Sequence, residues 1–318
     1  MHSHHSHSGD YVSHAVDSLD SVVDLAAAKG FEIFCLTEHM PRLEDKFLYP
    51  EEIEKEYTTQ NLIKNFNAYL DHGRRLQIKF NGGQMKVLLG FEVEGLDLAH
   101  IEYAKEIRKS NPDINMTVGS IHYVNHVPID FSRDLWVQAR ATTKENTTRA
   151  LYREYFEIQY QVISQLHPEV VGHFDLIRLF DDPLEVDPTT GKQIKDISLE
   201  HDWPEVWALV VRNIKEVFEY GGLFEINSAA IRKGWTTPYP REDIADAIIQ
   251  YGGARFCLSD DSHGLKQVGL NFHRAWEYLR DVLKVDVLYF LDLKDGQAIV
   301  RKEEVATLDK SHFWDQYQ

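Results

Sequence analysis

Cysteine is nearly absent: Cys35 and Cys257 are the only two thiols in 318 residues, and each stands in an apolar stretch. That excludes a disulfide framework and a thiolate metal site, and it fits reduced, buried thiols. Long hydrophobic runs are missing too. The apolar stretches at 31–36 and 285–291 fall far short of the roughly 20 residues that cross a bilayer, and no charged-then-apolar leader opens the sequence. The chain therefore reads as cytosolic, without a membrane partner. Positive charge is scarce: Lys plus Arg number 34 against 51 Asp plus Glu, a formal net charge of −17. The basic track by which proteins neutralise a nucleic-acid backbone is lacking, which argues against DNA or RNA as a partner. No Ser/Gly linker, low-complexity block or short repeat divides the sequence, so one domain over residues 1–318 is expected. A chain of this length with 43% hydrophobic residues can bury a sizeable core, and global disorder is excluded. What the sequence has in excess is histidine, 16 of them.

Short runs rich in branched and aromatic residues recur at 31–38, 86–93, 115–123, 169–176, 223–228, 255–259 and 286–292 and predict buried strands. Between them, at 19–29, 60–80, 99–109, 147–166, 204–220, 241–251 and 272–283, apolar residues fall at three- and four-residue spacing and predict helices. Strands separated by helices imply parallel crossovers. Some seven such units suit a (β/α) barrel, and an open doubly wound sheet fits the periodicity nearly as well. Segments 41–60 and 180–203 look like insertions, and the tail beyond the Asp295-Gly296 turn fits neither pattern.

Polar residues cluster where the apolar runs end. The first run leads into Thr37-Glu38-His39, the second into Gly90-Phe91-Glu92-Val93-Glu94 and the third into Ser120-Ile121-His122. Downstream come Gly172-His173-Phe174-Asp175, Glu225-Ile226-Asn227 and Ser259-Asp260-Asp261-Ser262-His263. In a parallel barrel these ends converge on one face, where such barrels build their sites. Side chains at i and i+2 on an extended segment point the same way, so His5-x-His7 and Asp261-x-His263 can each present a pair of ligands. Imidazole and carboxylate without thiolate suit Zn, Mn or Fe(II). Nine candidates emerge: His5, His7, His14, His39, Glu92, His122, His173, Asp261 and His263. That is more than one ion requires, so two to three divalent ions are expected.

Plainer readings compete at each position. The Met1-His2-Ser3-His4-His5-Ser6-His7 opening resembles a metal-sticky tail, but its serine interruptions and its continuation into Ser8-Gly9-Asp10 argue against that. A lone His39, His122 or His173 would more often be a hydrogen-bonded structural residue; their joint occurrence at strand ends favours ligation. Glu94 shares the parity of Glu92 and remains a second candidate. Asp260 competes with Asp261, and parity with His263 selects Asp261. His2, His4, His72, His100, His126, His167, His201, His273 and His312 are expected to be surface or structural.

Taken in order, His5-Ser6-His7-Ser8, Thr37-Glu38-His39, Gly90-Phe91-Glu92, Ser120-Ile121-His122, Gly172-His173-Phe174-Asp175, Glu225-Ile226-Asn227 and the Ser259-to-His263 run resemble the motifs of the polymerase and histidinol phosphatase (PHP) superfamily. The match spans residues 2 to about 275. Through the opening His/Ser run, Leu36-Thr37-Glu38-His39-Met40-Pro41-Arg42 and Pro128-Ile129-Asp130-Phe131, the chain is most similar to the fungal type of histidinol-phosphatase within it. The resemblance implies a distorted (β/α)7 TIM-like barrel with a trinuclear site at the C-terminal ends of the strands. It implies one metal held by His5, His7, Glu92 and Asp261, a second by Glu92, His122 and His173, and a third by His14, His39 and His263. His14 lies one residue farther from His7 than the family spacing.

The chemistry so implied is hydrolysis of a small phosphate monoester, L-histidinol phosphate, to L-histidinol and phosphate in histidine biosynthesis. The expected route is direct attack on phosphorus by a metal-bound hydroxide without a phosphoenzyme. Glu92, Asp261 and His263 are the expected catalytic residues, and Asn227, Arg232 and Lys233 the expected substrate contacts. Glu94, Tyr123 and Asp130 are candidates for the organic end of the substrate, with the two insertions expected to narrow the mouth. The rivals are another phosphoesterase or nuclease of the superfamily, an amidohydrolase, and a metal-binding protein without catalysis. The carboxylated Lys frequent in amidohydrolases has no counterpart, since no strand here ends in such a Lys. The oligomeric state is not expressed in the sequence.

Overall fold

Seven short segments with buried side chains form one parallel sheet. They are β1 (His2–Ser3), β2 (Ile33–Leu36), β3 (Lys86–Glu94), β4 (Met116–Ser120), β5 (Val170–Val171), β6 (Leu223–Asn227) and β7 (Phe256–Ser259). Each neighbours the next in chain order. The computed structural model describes residues 1–317. The two edges meet where His4 N–H donates to Leu258 O at 3.1 Å and Ser6 bridges Ser262, so the sheet is a nearly closed barrel and not an open one. The helices that follow the strands are α1 (Leu19–Ala28), α2 (Thr59–Phe80), α3 (Leu98–Ser110), α4 (Thr148–Leu166), α5 (Pro204–Tyr220), α6 (Glu242–Tyr251) and α7 (Phe272–Glu277).

Period-two alternation decides which side chains face where. Phe34, Leu36, Val87 and Leu89 join the helices' apolar faces in the main core, whereas Ile33, Cys35, Leu88, Met116, Val118, Val170, Leu223 and Cys257 form a second cluster. Gly90 lets β3 approach β4 closely: a Cβ there would lie 2.8 Å from Met116 O and 2.7 Å from Met116 Cγ. Side chains close the helix starts, as Ser18, Asp97 and Thr147 accept from the backbone N–H of Ser21, His100 and Ala150.

Two expectations about the strands need correction. The apolar run at 286–292 is no barrel strand: β8 (Val287–Lys294) pairs antiparallel with β9 (Gln297–Glu304) through the Asp295-Gly296 turn. Leu291 of this hairpin packs into the second core cluster, its N–H donates to His4 Nε2 at 3.1 Å, and Phe290 stacks on His2. The hairpin thus plugs the end of the barrel opposite the polar strand ends. The missing barrel strand is β1, inside the opening histidine run. Within it Ser3 Oγ donates to Asp260 at 3.0 Å, and just beyond it His4 Nδ1 pairs with Leu258 O at 2.9 Å. Met1 is 0% exposed, so the opening run is built into the fold and is no appended tail.

The 41–60 insertion forms a turn at Asp45–Phe47 and a short helix at Pro50–Glu54, anchored where Phe47 and Tyr49 pack with Leu96 and Tyr123. Among the described residues, no helix is long and apolar enough to cross a membrane.

Candidate metal centre

Glu92 is the centre of the polar face. Its Oε2 lies 3.2 Å from His5 Nε2, 3.3 Å from His7 Nε2 and 3.1 Å from His39 Nδ1, and its Oε1 lies 3.3 Å from His122 Nε2 and 3.1 Å from His173 Nε2. One buried carboxylate therefore meets five imidazoles drawn from three strand ends and the opening segment. Asp261 Oδ1 approaches His5 Nε2 at 3.7 Å and His7 Nε2 at 3.5 Å. Donor atoms converge within 4.8 Å in the groups His5/His7/Asp261, Glu92/His122/His173 and His7/His39/His263, and also in His5/His173/Glu225 and His39/Glu94/His122. The histidines scattered from 5 to 263 are thus one cluster. His14 stands at its outer edge, with its side chain 35% exposed, its ring 4.9 Å from that of His263, and Nδ1 3.1 Å from Glu51 Oε1.

The donor set fits divalent cations. His5 Nε2, both ring nitrogens of His7 and Nδ1 of His39 are buried without hydrogen-bond partners, an arrangement costly for polar atoms unless something else coordinates them. His122 Nε2 and His173 Nε2 face each other at 3.3 Å. Imidazole and carboxylate oxygen suit zinc, manganese or ferrous iron.

Electrostatics agree. Burial disfavours every charge here, yet the neighbours outweigh it for Glu92, held well below the usual carboxylate range by His5, His122 and His39, and for Asp261, lowered by His5, His7 and His263. Against the same burial, Glu92, Asp261 and Glu225 raise His5 well above its ordinary value, and Asp261, Glu38 and Glu92 raise His7 to about 10. His39 goes the other way, to about 4, because burial exceeds the pull of Glu92 and Glu94. Protons on imidazole are one counter-charge to the carboxylates and divalent ions are another, so metal uptake must displace protons.

A second ring of carboxylates orients the imidazoles. Glu225 pairs with His5 Nδ1 at 3.2 Å and accepts from His173 N–H at 2.6 Å, Asn227 Nδ2 at 2.7 Å and Ser259 Oγ at 2.6 Å. Glu38 lies 3.5 Å from His7 Nδ1 and accepts from Ser8 Oγ at 2.6 Å. Glu94 lies 3.0 Å from His39 Nδ1, pairs with His122 Nδ1 at 3.2 Å and accepts from Arg42 Nη1 at 3.1 Å. Buried Arg42 also pairs with Glu52 and stacks 4.4 Å over Tyr49, tying the 41–60 insertion to the cluster. Glu38 and Glu225 stand inside motifs read from the sequence, and the inward parity Glu225 shares with Asn227 could have marked it. Arg42 carries no periodic signal.

The cluster opens into a cleft of about 270 Å³. Arg232 and Lys233 line it, and both Nη atoms of Arg232 donate to Asp261 O at 3.2 Å. Asn227 does not reach the cleft: it is fully buried, donates to Glu225 and accepts from Ala229 N–H, which leaves its amide no substrate to meet. Asp260 turns away as well, accepting from Ser3 Oγ and Gly269 N–H, and burial pushes it up to about 6. Asp261 and not Asp260 thus faces the imidazoles, but not through strand alternation, since β7 ends at Ser259 and Asp261 adopts a left-handed backbone with φ 47°. Of the three candidates for the organic end, Glu94 is engaged by His39 and His122, Tyr123 is buried and donates to Phe47 O at 2.8 Å, and only Asp130 lines the cleft. Tyr49 and Glu51 of the first insertion line it too, whereas no residue of 180–203 does.

Comparison with known proteins agrees with this geometry. The PHP domain matches residues 3–229. A Saccharomyces cerevisiae protein named histidinol-phosphatase is 39% identical, over 99% of each chain. A Schizosaccharomyces pombe relative, named "probable histidinol-phosphatase", is 42% identical over 87% of this chain and 85% of its own. The solved histidinol phosphate phosphatase of Lactococcus lactis, complexed with Zn, L-histidinol and phosphate, superposes with a TM-score of 0.63 at 17% identity, covering 94% of this chain and 98% of that one. At that identity the likeness establishes the fold. With a family match over most of its length and a full-length relative at 39% identity, this chain belongs to the PHP domain family.

Proposed function

We propose that this protein is a metal-dependent phosphate monoesterase that hydrolyses L-histidinol phosphate to L-histidinol and phosphate in histidine biosynthesis. The observation that carries the substrate is the 39% identity with the Saccharomyces cerevisiae histidinol-phosphatase over 99% of each chain. The cleft supports the reaction class, since its lining joins the imidazole–carboxylate cluster to Arg232.

In this reading His5, His7, Glu92 and Asp261 would hold one ion, Glu92, His122 and His173 a second, and His39 and His263, with His14 at the rim, a third. Two to three zinc, manganese or iron ions held there would acidify water, neutralise phosphoryl oxygens and stabilise the leaving alkoxide. Glu92 spans the ligand sets with its two oxygens. Glu38, Glu94 and Glu225 fix ring orientation and tautomer, so the nitrogens that face inward do so before substrate arrives. Arg232 presents a planar guanidinium to two phosphoryl oxygens. The net charge of −17 does not forbid an anionic substrate. Charges more than about 8 Å away are largely screened at physiological salt, so Arg232, Lys233 and the bound ions set the local potential.

The test compares kcat/KM for histidinol phosphate, an aryl phosphate and a short single-stranded DNA, with and without a chelator. Histidinol phosphate is expected to lead by at least about 10², the discrimination a few specific polar contacts supply. Equal turnover of the aryl ester, or faster turnover of DNA, removes the named substrate. Activity that survives chelation removes metal dependence.

Arg232→Ala is expected to lower kcat/KM by roughly 2 to 4 kcal/mol, the scale of a desolvated charge-assisted contact. A rise in KM alone marks a contact equal in ground and transition states, and a fall in kcat marks one that tightens as charge develops. Unchanged kinetics would leave Arg232 with only its structural contact to Asp261 O.

A further inference from the structure

Within the cleft, one carboxylate has nothing to do. Glu92 and Asp261 face the imidazoles, and Glu51 pairs with His14 at 3.1 Å. Asp130 lines the same cleft, yet among the described residues no hydrogen bond or ion pair engages its side chain. Its position is well determined. The small hairpin Tyr123–Val124/Val127–Pro128 turns the chain back, and Ile129 N–H donates to His122 O at 2.9 Å, pinning Asp130 to the segment that carries a cluster histidine.

A free carboxylate on the wall of a phosphate-binding cleft repels the substrate's phosphoryl group, so its presence favours a substrate that brings its own cation. Beside it the wall is flat and apolar. Phe131 is 44% exposed, and its ring lies nearly parallel to that of Tyr49, centroids 6.3 Å apart at 15°. Both rings line the cleft. An exposed aromatic at the mouth of a polar cleft offers a face on which a planar ring can pack.

We infer that Asp130 is a specificity-determining residue that takes the ammonium of the substrate, with Phe131 and Tyr49 flanking its heteroaromatic ring. The inference rests on the proposed reading of the site as a phosphate monoesterase, and it assigns the organic half of the substrate to one acidic side chain and two rings. It accounts for selectivity among phosphate esters that the ions and Arg232 cannot tell apart, since all of those grip the shared phosphoryl group.

The experiment measures a ratio. For the metal-loaded enzyme, kcat/KM is determined for histidinol phosphate and for its analogue lacking the amine, and for phosphoethanolamine against ethyl phosphate, in the wild type, Asp130→Asn and Asp130→Ala. The wild type is expected to favour each amine-bearing ester by roughly 30-fold or more, and both variants to bring the ratios close to one, as loss of a charge-assisted partner predicts. Ratios that stay at wild-type values in the variants, whatever the absolute rates, overturn the assignment, as does a wild type indifferent to the amine. If histidinol phosphate proves a poor substrate while the second pair still shows an Asp130-dependent ratio, the substrate reading falls and the ammonium site stands. Metal content in each variant separates this role from a structural one, which would shed ions and leave the ratio unchanged.

Discussion

Glu92→Gln is expected to reduce kcat for histidinol phosphate by at least about 10³, since it damages both the charge and the geometry of the ligand sets. The size of the effect follows from where the residue sits. Both of its oxygens are used, within 3.1 to 3.3 Å of five imidazole nitrogens. Glutamine keeps the shape but turns an NH2 donor toward one of those sets and removes the charge the sets have in common. Elemental analysis should find two to three ions per wild-type chain and fewer in the variant, while circular dichroism shows both folded. Near-normal kcat with a full metal complement would refute the bridging role, and one ion or none in the wild type would sink the multinuclear site.

The adjacent aspartates provide the second large contrast. Asp261→Asn should cost at least about 10³ in kcat, because its carboxylate is the second anionic partner of His5 and His7. Asp260→Asn should be far milder in catalysis, since Asp260 points away to Ser3 and Gly269. Its cost should appear instead in thermal stability, where one amide oxygen must replace a carboxylate accepting two buried hydrogen bonds. Similar kinetic losses in both variants would show that the cluster does not distinguish the two side chains.

How these aspartates were told apart bears on how much the sequence could reveal. Alternation selected the aspartate that faces the imidazoles, yet the chain there is no longer extended: φ of 47° at Asp261 accompanies a carboxylate facing His5 and His7. The strand cores themselves were legible, because a strand covered on both faces must be apolar and branched, and its polar residues can then stand only at its ends. That one rule brings Glu92, His39, His122 and His173 to one face. It misjudged 286–292, because a hairpin plugging a barrel buries apolar residues just as a barrel strand does. It passed over β1 for the opposite reason, since a two-residue strand of His2, stacked on Phe290, and Ser3, bonded to Asp260, leaves no apolar signature.

By itself, then, the sequence marked the parallel strands β2 to β7 with the helices between them, and the imidazole–carboxylate chemistry at their ends, since both follow from local periodicity and residue type. Only the tertiary structure decided that the sheet closes through His4 and Leu258. It also decided that Glu38, Glu94 and Glu225 stand behind the clustered imidazoles, that Asn227 turns inward to Glu225, and that, among the described residues, Asp130 is left free in the cleft. These depend on pairings between residues up to about 250 positions apart, and no local pattern records which distant partner will satisfy a buried polar group.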